Sequence, residues 1–525
     1  MPTSPCQPAV ANGVGMAPPH NNHEDDYSIS RPPLASMGRQ STFVRPRVPL
    51  IPGWMKLTPL DQVESRFILP LVLVFNMSSP ALGRGPLLRD LETSLANTIG
   101  EMAFLAANVV PECEEQGTIQ LEISDDDAGV WFHSQELPEM DYHALERREF
   151  PPGEFPLLAL MPEPRVHDAE QKSPVLTVLA TFIAGGLLLT LNSHHSVMDG
   201  AGMLTLAMTL AKHMAALSDG RLIAPEDSFP EEALDRSNVF GCGGKEVGDF
   251  PNYRTSQTYR CAVERELVEA AVSGRQHHHH HHHQHPRLPL LQKLNLSHWF
   301  ISAESMRAMR DAALPPPPPP PSEGLPLLTD NTILCAVLWR HISRARRLSC
   351  RGIVSSSLVN TVNVRRRLDP PLPLEYPGNA VVHAKTSAAT ADVESTEPGM
   401  LYKMAKQITD AIEWWTSERV WELVGAIESS AVVNKVEPNM DNFQGPDLEV
   451  TSTAAMGDIY RAEWGSGLGR IRALRYAYLP IKDGWVNVLP QRTDAGLELL
   501  VCLEKSTLRL LRRDQEWLRL ARESR

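Results

Sequence analysis

The sequence has few features of a protein held together by cysteine chemistry. Its 525 residues include 7 cysteines, an odd number scattered along the chain with no CxxC pair. This distribution argues against a disulfide framework and against a cysteine-based zinc site. We therefore expect reduced thiols that fill space in the interior.

The sequence also has no long apolar run, and we expect no secretory leader. The longest apolar runs, such as residues 69–75, are far shorter than the roughly 20 residues that cross a bilayer. The N-terminus carries prolines and then an acidic, histidine-containing stretch, where a leader would have basic residues followed by an apolar segment. We expect no membrane span and a cytoplasmic location.

Basic residues are outnumbered by acidic residues. The chain has 50 Lys and Arg residues against 63 Asp and Glu residues, a formal net charge of −13. Such a charge repels a polyanionic backbone, so we expect neither a nucleic-acid partner nor attachment to an anionic membrane. A local basic pocket for a phosphorylated co-substrate remains compatible with it.

Three segments lack the apolar residues needed to form a core. Residues 1–45 are rich in Pro, Ser, Asn and Gly, which predicts a disordered tail. Residues 226–290 are predicted to be an irregular crossover, and they contain a histidine run at 277–283. Such a run has no fixed geometry to orient its rings around a metal, so we predict no metal site. The proline run at 315–321 is predicted to be a stiff spacer.

The rest of the chain predicts two α/β domains, because single cores stop growing at roughly 250 to 300 residues. We place them at residues 46–225 and 291–525. In the first, residues 175–183 and 187–191 predict a hairpin with a glycine turn, followed by a polar loop and a helix that ends near Gly220. In the second, Ser302 and Thr329 or Asp330 predict helix starts. Further strands are predicted at 353–364, 380–383, 473–479 and 497–503, and a closing helix at about 512–521.

The polar loop after the predicted hairpin carries an HxxxDG motif, with His195, Asp199 and Gly200. A histidine at a strand end can project into a cleft and act as a general base, which activates a hydroxyl by roughly 10²- to 10⁴-fold. Asp199 could orient that base, but we favour a structural role in which it pairs with an arginine and holds the loop. Gly200 would relieve crowding where the chain turns. The motif alone is weak, since a lone histidine is usually a satisfied core or surface residue.

Other segments add to this motif. They are Leu57-Thr58-Pro59-Leu60-Asp61, Pro86-Leu87-Leu88 through Ser94-Leu95, Thr329-Asp330-Asn331, Leu338-Trp339-Arg340, Asn363-Val364-Arg365 and Gly378-Asn379. With His195 to Gly200, they resemble the BAHD-type acyltransferases, particularly the fungal branch that includes trichothecene O-acetyltransferases. The resemblance covers most of residues 50–520.

The family's second signature, DFGWG followed by Leu-Gly, is matched by Glu463-Trp464-Gly465-Ser466-Gly467-Leu468-Gly469. Glu463 replaces the signature Asp and Trp464 replaces Phe, and the longer carboxylate would shift any pairing with Arg365. The resemblance implies that Glu463, Trp464, Gly465 and Gly467 support the fold. Ser466 is a candidate oxyanion donor or cofactor-binding residue, although a simple turn residue is the commoner explanation. A phosphate-binding glycine loop would need a following helix, whereas the following residues predict a strand.

The resemblance implies a chloramphenicol-acetyltransferase-like fold, with mixed sheets flanked by helices and a channel between two domains. Coenzyme A would enter from one face and a small-molecule acceptor from the other. His195 would deprotonate the acceptor directly, with Arg365 supporting the site and no acyl-enzyme formed. Acyl-CoA, with acetyl-CoA favoured, is the implied co-substrate, and a monomer suffices because one chain encloses the site.

We therefore predict a coenzyme A-dependent O-acyltransferase, favouring O-acetyl transfer to a hydroxyl in fungal secondary metabolism. One alternative on the same fold is a condensation-type enzyme that takes its acyl group from a carrier-protein thioester. A second alternative, of another class, is a non-catalytic protein whose cleft binds a metabolite. Thiol release from acetyl-CoA that depends on His195 would separate the catalytic hypotheses from the non-catalytic one.

Overall fold

The computed structural model describes residues 37–77, 83–161, 172–241, 244–257, 293–315, 328–441, 445–465, 467–477 and 482–524. The strands are β1 Met37–Val44, β2 Gly53–Lys56, β3 Ile68–Asn76, β4 Asn108–Cys113, β5 Thr118–Ile123, β6 Val130–Asp141, β7 Ser173–Pro174, β8 Leu176–Ala184, β9 Gly186–His194, β10 Tyr253–Thr255, β11 Leu294–Ile301, β12 Ser355–Asn363, β13 Val381–Ala389, β14 Val436–Pro438, β15 Leu448–Ser452, β16 Ala473–Tyr476, β17 Trp485–Val488, β18 Leu497–Glu504 and β19 Arg522–Glu523. The α-helices are α1 Pro59–Gln62, α2 Arg84–Glu101, α3 Tyr142–Arg147, α4 Leu157–Leu160, α5 Gly200–Ser218, α6 Ala303–Ala312, α7 Asp330–Arg346, α8 Thr390–Glu394, α9 Met400–Glu413, α10 Ser417–Glu428, α11 Lys505–Leu511 and α12 Gln515–Leu520.

The sheet that positions the HxxxDG motif has the order β1-β6-β8-β9-β3-β16. The predicted hairpin is present as β8 and β9, and it turns at Gly185, whose φ of 71° favours glycine. Every residue of β9 is buried, as expected for an apolar central strand. The edge strand β16 comes from the second half of the chain and pairs antiparallel with β3. One sheet therefore joins the two halves of the sequence.

Helix α5 follows β9 after a short loop and packs its apolar positions into the core beside α2. The carboxylate of Asp199 caps it by accepting the backbone N–H of Gly202 at 2.8 Å. The chain leaves the helix through Gly220, whose φ of 64° is the left-handed conformation common after a helix. The predicted order of strand, polar loop and helix is confirmed.

The second large sheet has the order β13-β12-β15-β17-β18-β11-β19, with a parallel centre and antiparallel flanks. Helix α7 packs on it, and the buried Trp339 donates its indole N–H to Ser356 at 2.9 Å. Ser302 and Thr329 cap α6 and α7 as predicted. The closing helix predicted at about 512–521 is present as α12, which is shorter than predicted because Asp514 caps its start after α11 has ended at Leu511.

The disordered tail predicted to reach residue 45 also needs correction. Residues 37–44 form β1, which pairs antiparallel with β6 at the edge of the first sheet. Most of its side chains are exposed, so main-chain hydrogen bonds rather than an apolar pattern hold it there. The histidine run and the proline run beyond Pro315 lie outside the described residues. None of the described helices is long and apolar enough to cross a membrane.

Candidate active site

His195 follows directly after β9, and its backbone is fixed on both sides. Its N–H donates to the carbonyl of Phe67 at 3.0 Å, and its carbonyl accepts the side-chain amide of Asn379 at 3.0 Å. The ring of Phe67 meets the imidazole edge-on, with centroids 5.5 Å apart. The His195 side chain is 21% exposed, whereas its neighbour His194 is fully buried. The strand end therefore presents one histidine to solvent-accessible space.

That space is a cavity formed by both halves of the chain, with an empty volume of about 1160 Å³ including its openings. Its lining includes Glu64, Ser65, Phe67, Leu69, His195, Asp199, Gly200, Ala201, Thr361, Asn363, Val381, His383, Glu449, Thr451, Ser452, Thr453, Met456, Tyr476, Lys482, Trp485 and Asn487.

Asp199 is engaged by Arg365, the residue that the sequence suggested for structural support. The two Nη atoms of Arg365 donate to the two carboxylate oxygens, each at 2.9 Å, and both side chains are buried. The N–H of Ala380 adds a third hydrogen bond to Asp199, at 3.1 Å. With the N–H of Gly202 also bonded, four N–H groups donate to the two carboxylate oxygens of Asp199 and hold the loop in place.

A second buried ion pair lies beside the first and was not anticipated. Asp61 accepts Arg236 Nη1 at 2.6 Å, and it also accepts both the backbone N–H and the side-chain amide of Asn379, at 2.8 and 2.9 Å. Arg236 donates as well to the carbonyl of Val197, inside the motif loop, at 2.8 Å. Asp61 and Asn379 belong to the segments that carry the resemblance. Arg236, by contrast, comes from the crossover, where no pattern marked it.

Glycine is needed in the motif for close approach of distant segments. A Cβ on Gly200 would lie 3.2 Å from a methyl of Thr453, so the crowding comes from the second half of the chain rather than from the turn. A Cβ on Gly202 would collide with the carbonyl of Pro377. Neither glycine has a positive φ. The start of α5 therefore packs against a side chain of the second half at Gly200 and against its backbone at Gly202.

The glycine loop of the second signature lies away from His195. Trp464 is buried against the ring of Phe75, with centroids 5.2 Å apart. A Cβ on Gly465 would come within 2.8 Å of the carbonyl of Met214, near the C-terminal end of α5. That end is about 20 Å along the helix from Gly200.

Two features of this loop differ from the expectations. Glu463 is exposed and pairs with Arg470 at 2.6 Å, so the suggested pairing with Arg365 is wrong. Gly465 and Gly467 have φ values of 57° and 80°, which explains glycine at both positions. Ser466 lies outside the described residues. The strand predicted after the loop is β16, which excludes the loop-to-helix geometry of a phosphate site.

The second sheet provides a polar floor to the cavity. The cross-strand pairs Thr361 with His383 and Asn363 with Val381 put their side chains on one face, and this face lines the cavity. The neighbouring strands add Glu449, Thr451, Trp485 and Asn487 to the same lining. The opposite face of this sheet packs into the apolar core of the second half. Strand alternation was the one sequence signal for these residues, and it did not show which face meets the cavity.

His383 is a second cavity histidine that sequence reasoning missed. Its Nδ1 lies 3.1 Å from the hydroxyl of Tyr253, and that hydroxyl also accepts the backbone N–H of His383 at 3.0 Å. Tyr253 lies on β10 in the crossover, and no motif marked either residue.

One group of described side chains has the composition of a metal site. His341, Asp514 and Glu516 bring their ligand atoms within 4.8 Å of one another. However, His341 Nδ1 lies 2.7 Å from Asp514, and Arg344 donates to Glu516 at 2.5 Å. Asp514 also accepts the backbone N–H groups that it caps in α12. Internal hydrogen bonds and ion pairs therefore hold the three side chains of this cluster together.

Two proteins of similar sequence are named as acyl-transferring enzymes. Acyltransferase easC of Emericella nidulans is 26% identical over 493 residues, covering 91% of this chain and 97% of its own. Trichothecene 3-O-acetyltransferase of Saccharomyces cerevisiae is 22% identical over 454 residues, covering 82% of this chain and 86% of its own.

Solved structures show the same fold. The structure of F. graminearum TRI101 complexed with ethyl coenzyme A matches with a TM-score of 0.72 at 15% identity, covering 90% of this chain and 100% of that chain. Vinorine synthase matches with a TM-score of 0.61 at 15% identity, covering 93% of this chain and 98% of that chain. The predicted α/β acyltransferase fold, with mixed sheets flanked by helices, is confirmed.

The family model described as "Transferase family" matches residues 38–518. This match spans the motif loop, the glycine loop and both large sheets apart from the edge strand β19. The relatives are named acyltransferases and O-acetyltransferases, so the chain is an acyl-transferring enzyme. It belongs to the Transferase family of BAHD-type acyltransferases.

Proposed function

We propose that this enzyme transfers an acetyl group from acetyl-CoA to a hydroxyl of a small molecule in fungal secondary metabolism, with His195 as general base. The observation that carries the proposal is the partly exposed ring of His195 in a cavity formed by both halves, beside a motif aspartate that is fully engaged. The His195 Nδ1 is buried and has no hydrogen-bond partner among the described atoms. The ring is thus not held by hydrogen bonds at both nitrogens, and it can accept a proton.

In the proposed reaction, the acceptor hydroxyl gives its proton to His195 as its oxygen attacks the thioester carbonyl. The tetrahedral oxyanion then collapses, the carbon–sulfur bond breaks, and the leaving thiolate takes the proton from the imidazolium. Transfer is direct, so no acyl-enzyme forms. Asp199, Arg365 and the glycine loop hold the scaffold and take part in no chemical step.

The choice of coenzyme A as acyl carrier is supported by the structural relatives. One is complexed with ethyl coenzyme A, and another with coenzyme A and T-2 mycotoxin. Relatives from Aspergillus ustus and Penicillium ochrochloron are named O-acetyltransferases. A carrier-protein thioester is the alternative donor, and it is distinguished by activity with an acylated carrier but none with free acetyl-CoA. The monomeric state and the cytoplasmic location stay predictions.

The test is thiol release from acetyl-CoA in the presence of a panel of small-molecule alcohols. Wild type is expected to release coenzyme A with an acceptor, and His195→Ala is expected to lose about 10²-fold or more of this rate. Intact-mass measurement during turnover is expected to show only the unmodified protein.

A matched control removes a histidine that is not in the cavity. His143 is about half exposed on α3, so His143→Ala is expected to keep the wild-type rate. Undiminished thiol release by folded His195→Ala would remove the imidazole from the mechanism. Accumulation of an acylated protein would refute direct transfer.

A further inference from the structure

A second carboxylate lies next to His195. Glu64 follows α1, where its N–H donates to the carbonyl of Asp61 at 3.3 Å. On the other side, the hydroxyl of Ser196 lies 3.4 Å from each of the carbonyls of Glu64 and Ser65 and donates between them. The turn that carries Glu64 is therefore fastened to the motif loop itself. Its side chain is 9% exposed and lines the cavity.

The carboxylate of Glu64 faces the nitrogen of His195 that has no hydrogen bond. Oε2 of Glu64 lies 4.0 Å from Nδ1 of His195, and this nitrogen is buried without a hydrogen-bond partner among the described atoms. Hydrogen bonds of this type measure roughly 2.7–3.2 Å, so a shift of about 1 Å would close the contact. Asp199 cannot take this place, since Arg365 and two backbone N–H groups occupy its oxygens.

A carboxylate at this place has a defined effect on an imidazole base. It favours the tautomer with hydrogen on Nδ1, which leaves the lone pair of Nε2 to accept the proton of the hydroxyl. It also stabilises the imidazolium that forms during attack.

We propose that Glu64 is the positioning residue for His195: its carboxylate accepts Nδ1–H, so that Nε2 acts as the base. This inference rests on the proposed function and adds the acid partner that the motif itself does not provide. Glu64 stays ionised throughout, while the substrate proton moves from the hydroxyl to Nε2 and then to the leaving thiolate. The new carbon–oxygen bond and the broken carbon–sulfur bond involve only the two substrates.

Other ionisable groups line the same cavity, and a pH measurement has to separate them from His195. They are Asp199, His383, Glu449, Tyr476 and Lys482. Asp199 is paired with Arg365, and Glu449 lies 3.5 Å from Lys482. Burial raises the pKa of Tyr476 to about 12, so its hydroxyl stays protonated over the pH range of the assay. His383 is the one other histidine in this lining.

The test compares wild type, Glu64→Gln and Glu64→Asp in the acetyl-transfer assay from about pH 5 to about pH 9. Glu64→Gln keeps the shape of the side chain and removes its charge. Its kcat is expected to fall by about 10- to 100-fold, with KM changed less than about 3-fold, because the contact acts mainly on the transition state. The acid limb of its pH profile is expected to move to lower pH, because the imidazolium loses a neighbouring negative charge.

Glu64→Asp keeps the charge but retracts the carboxylate. It is expected to keep the acid limb near its wild-type position while kcat is lowered by about 10-fold or less. The same profile in His383→Gln identifies any limb that belongs to the second histidine. Glu136→Gln removes an exposed carboxylate on β6 and is expected to match wild type.

Wild-type kcat and an unmoved acid limb in folded Glu64→Gln would overturn the inference, as would an effect confined to KM. Should Glu64→Gln fail to fold, Glu64→Asp decides: lowered kcat with the limb unmoved supports the assignment, and wild-type kcat refutes it. His195→Ala keeps the two proposals apart. If that variant retains activity, the base itself is wrong, whereas loss in His195→Ala with none in Glu64→Gln removes only the role of Glu64.

Discussion

The carboxylate of Asp199 and the guanidinium of Arg365 form a bidentate ion pair, with both hydrogen bonds at 2.9 Å and both side chains buried. Arg365 also donates to the carbonyls of Tyr376 and Gly378. The pair thus fastens the loop after His195 to the segment between β12 and β13. Because these segments come from different halves of the chain, the ion pair fixes the position of His195 relative to the polar floor of the cavity.

Asp199→Asn should lower stability strongly. The change leaves the buried charge of Arg365 without its partner, a situation that costs about 3–5 kcal/mol. Urea denaturation measures this loss in the free energy of unfolding. The control is Glu463→Gln, which removes one partner of an exposed ion pair and is expected to stay within about 1 kcal/mol of wild type. Equal stabilities of the two variants would contradict the structural role of Asp199.

Gly202→Ala should destabilise the protein although alanine favours helices. The added methyl would collide with the carbonyl of Pro377, and overpacking of this kind costs about 1–3 kcal/mol. Gly100→Ala is the matched control, because Gly100 lies in α2 with open space around its Cα. That variant is expected to be unchanged or more stable by up to about 1 kcal/mol. Thermal denaturation of both variants tests the pair, and a Gly202→Ala protein as stable as Gly100→Ala would refute the packing argument.

The sequence predicted the local part of the site well, because local patterns determine it. The apolar runs of β8 and β9, the polar loop and the apolar spacing of α5 sit next to one another in the chain, and Asp199 at the helix start is a common capping residue. The caps Ser302 and Thr329 were predictable for the same reason. Each of these features needs only contacts within a few residues.

The remainder of the site depends on pairing between distant segments. Glu64 reaches His195 because β3 pairs with β9 and the turn before β3 is carried to the end of β9. His383 and Thr361 meet the cavity through the register of β12 with β13, and Arg236 arrives from an irregular crossover. No periodicity contains this information. The edge strand β1 was missed because main-chain pairing holds it while most of its side chains are exposed.

The glycine loop should support stability rather than chemistry. Gly465→Ala forces a side chain into a left-handed conformation and against α5, so we expect a loss of about 2–4 kcal/mol. Gly469→Ala has a similar φ of 62° but nothing near its Cα, so it isolates the conformational cost of about 1 kcal/mol. Denaturation curves give both values, and KM for acetyl-CoA in the folded variants is expected to stay within about 2-fold of wild type. A large rise in KM would instead place the loop at the co-substrate site.

The free energy of unfolding should decrease as pH falls below about 6.5, because the chain has a buried histidine, His298, remote from His195. Burial lowers the pKa of His298 below its ordinary value of 6.5, and the neighbouring Arg475 lowers it further. Burial alone would raise the pKa of Glu498, but Arg475 and His298 outweigh it and hold that pKa below its usual range, so Glu498 stays ionised near neutral pH.

The sign follows from where the proton binds. As pH falls through 6.5, His298 takes up a proton in the unfolded chain but not in the folded protein, so the folded state loses up to about 1.4 kcal/mol for each pH unit until its own lower pKa is reached. Urea denaturation between about pH 7.5 and about pH 5.5 should therefore give a shallower pH slope for His298→Gln than for wild type. The slope is the readout, because the substitution can also change stability equally at every pH. His143→Gln, at an exposed position, should keep the wild-type slope, and parallel curves for wild type and His298→Gln would show that this buried ring does not contribute to the pH dependence.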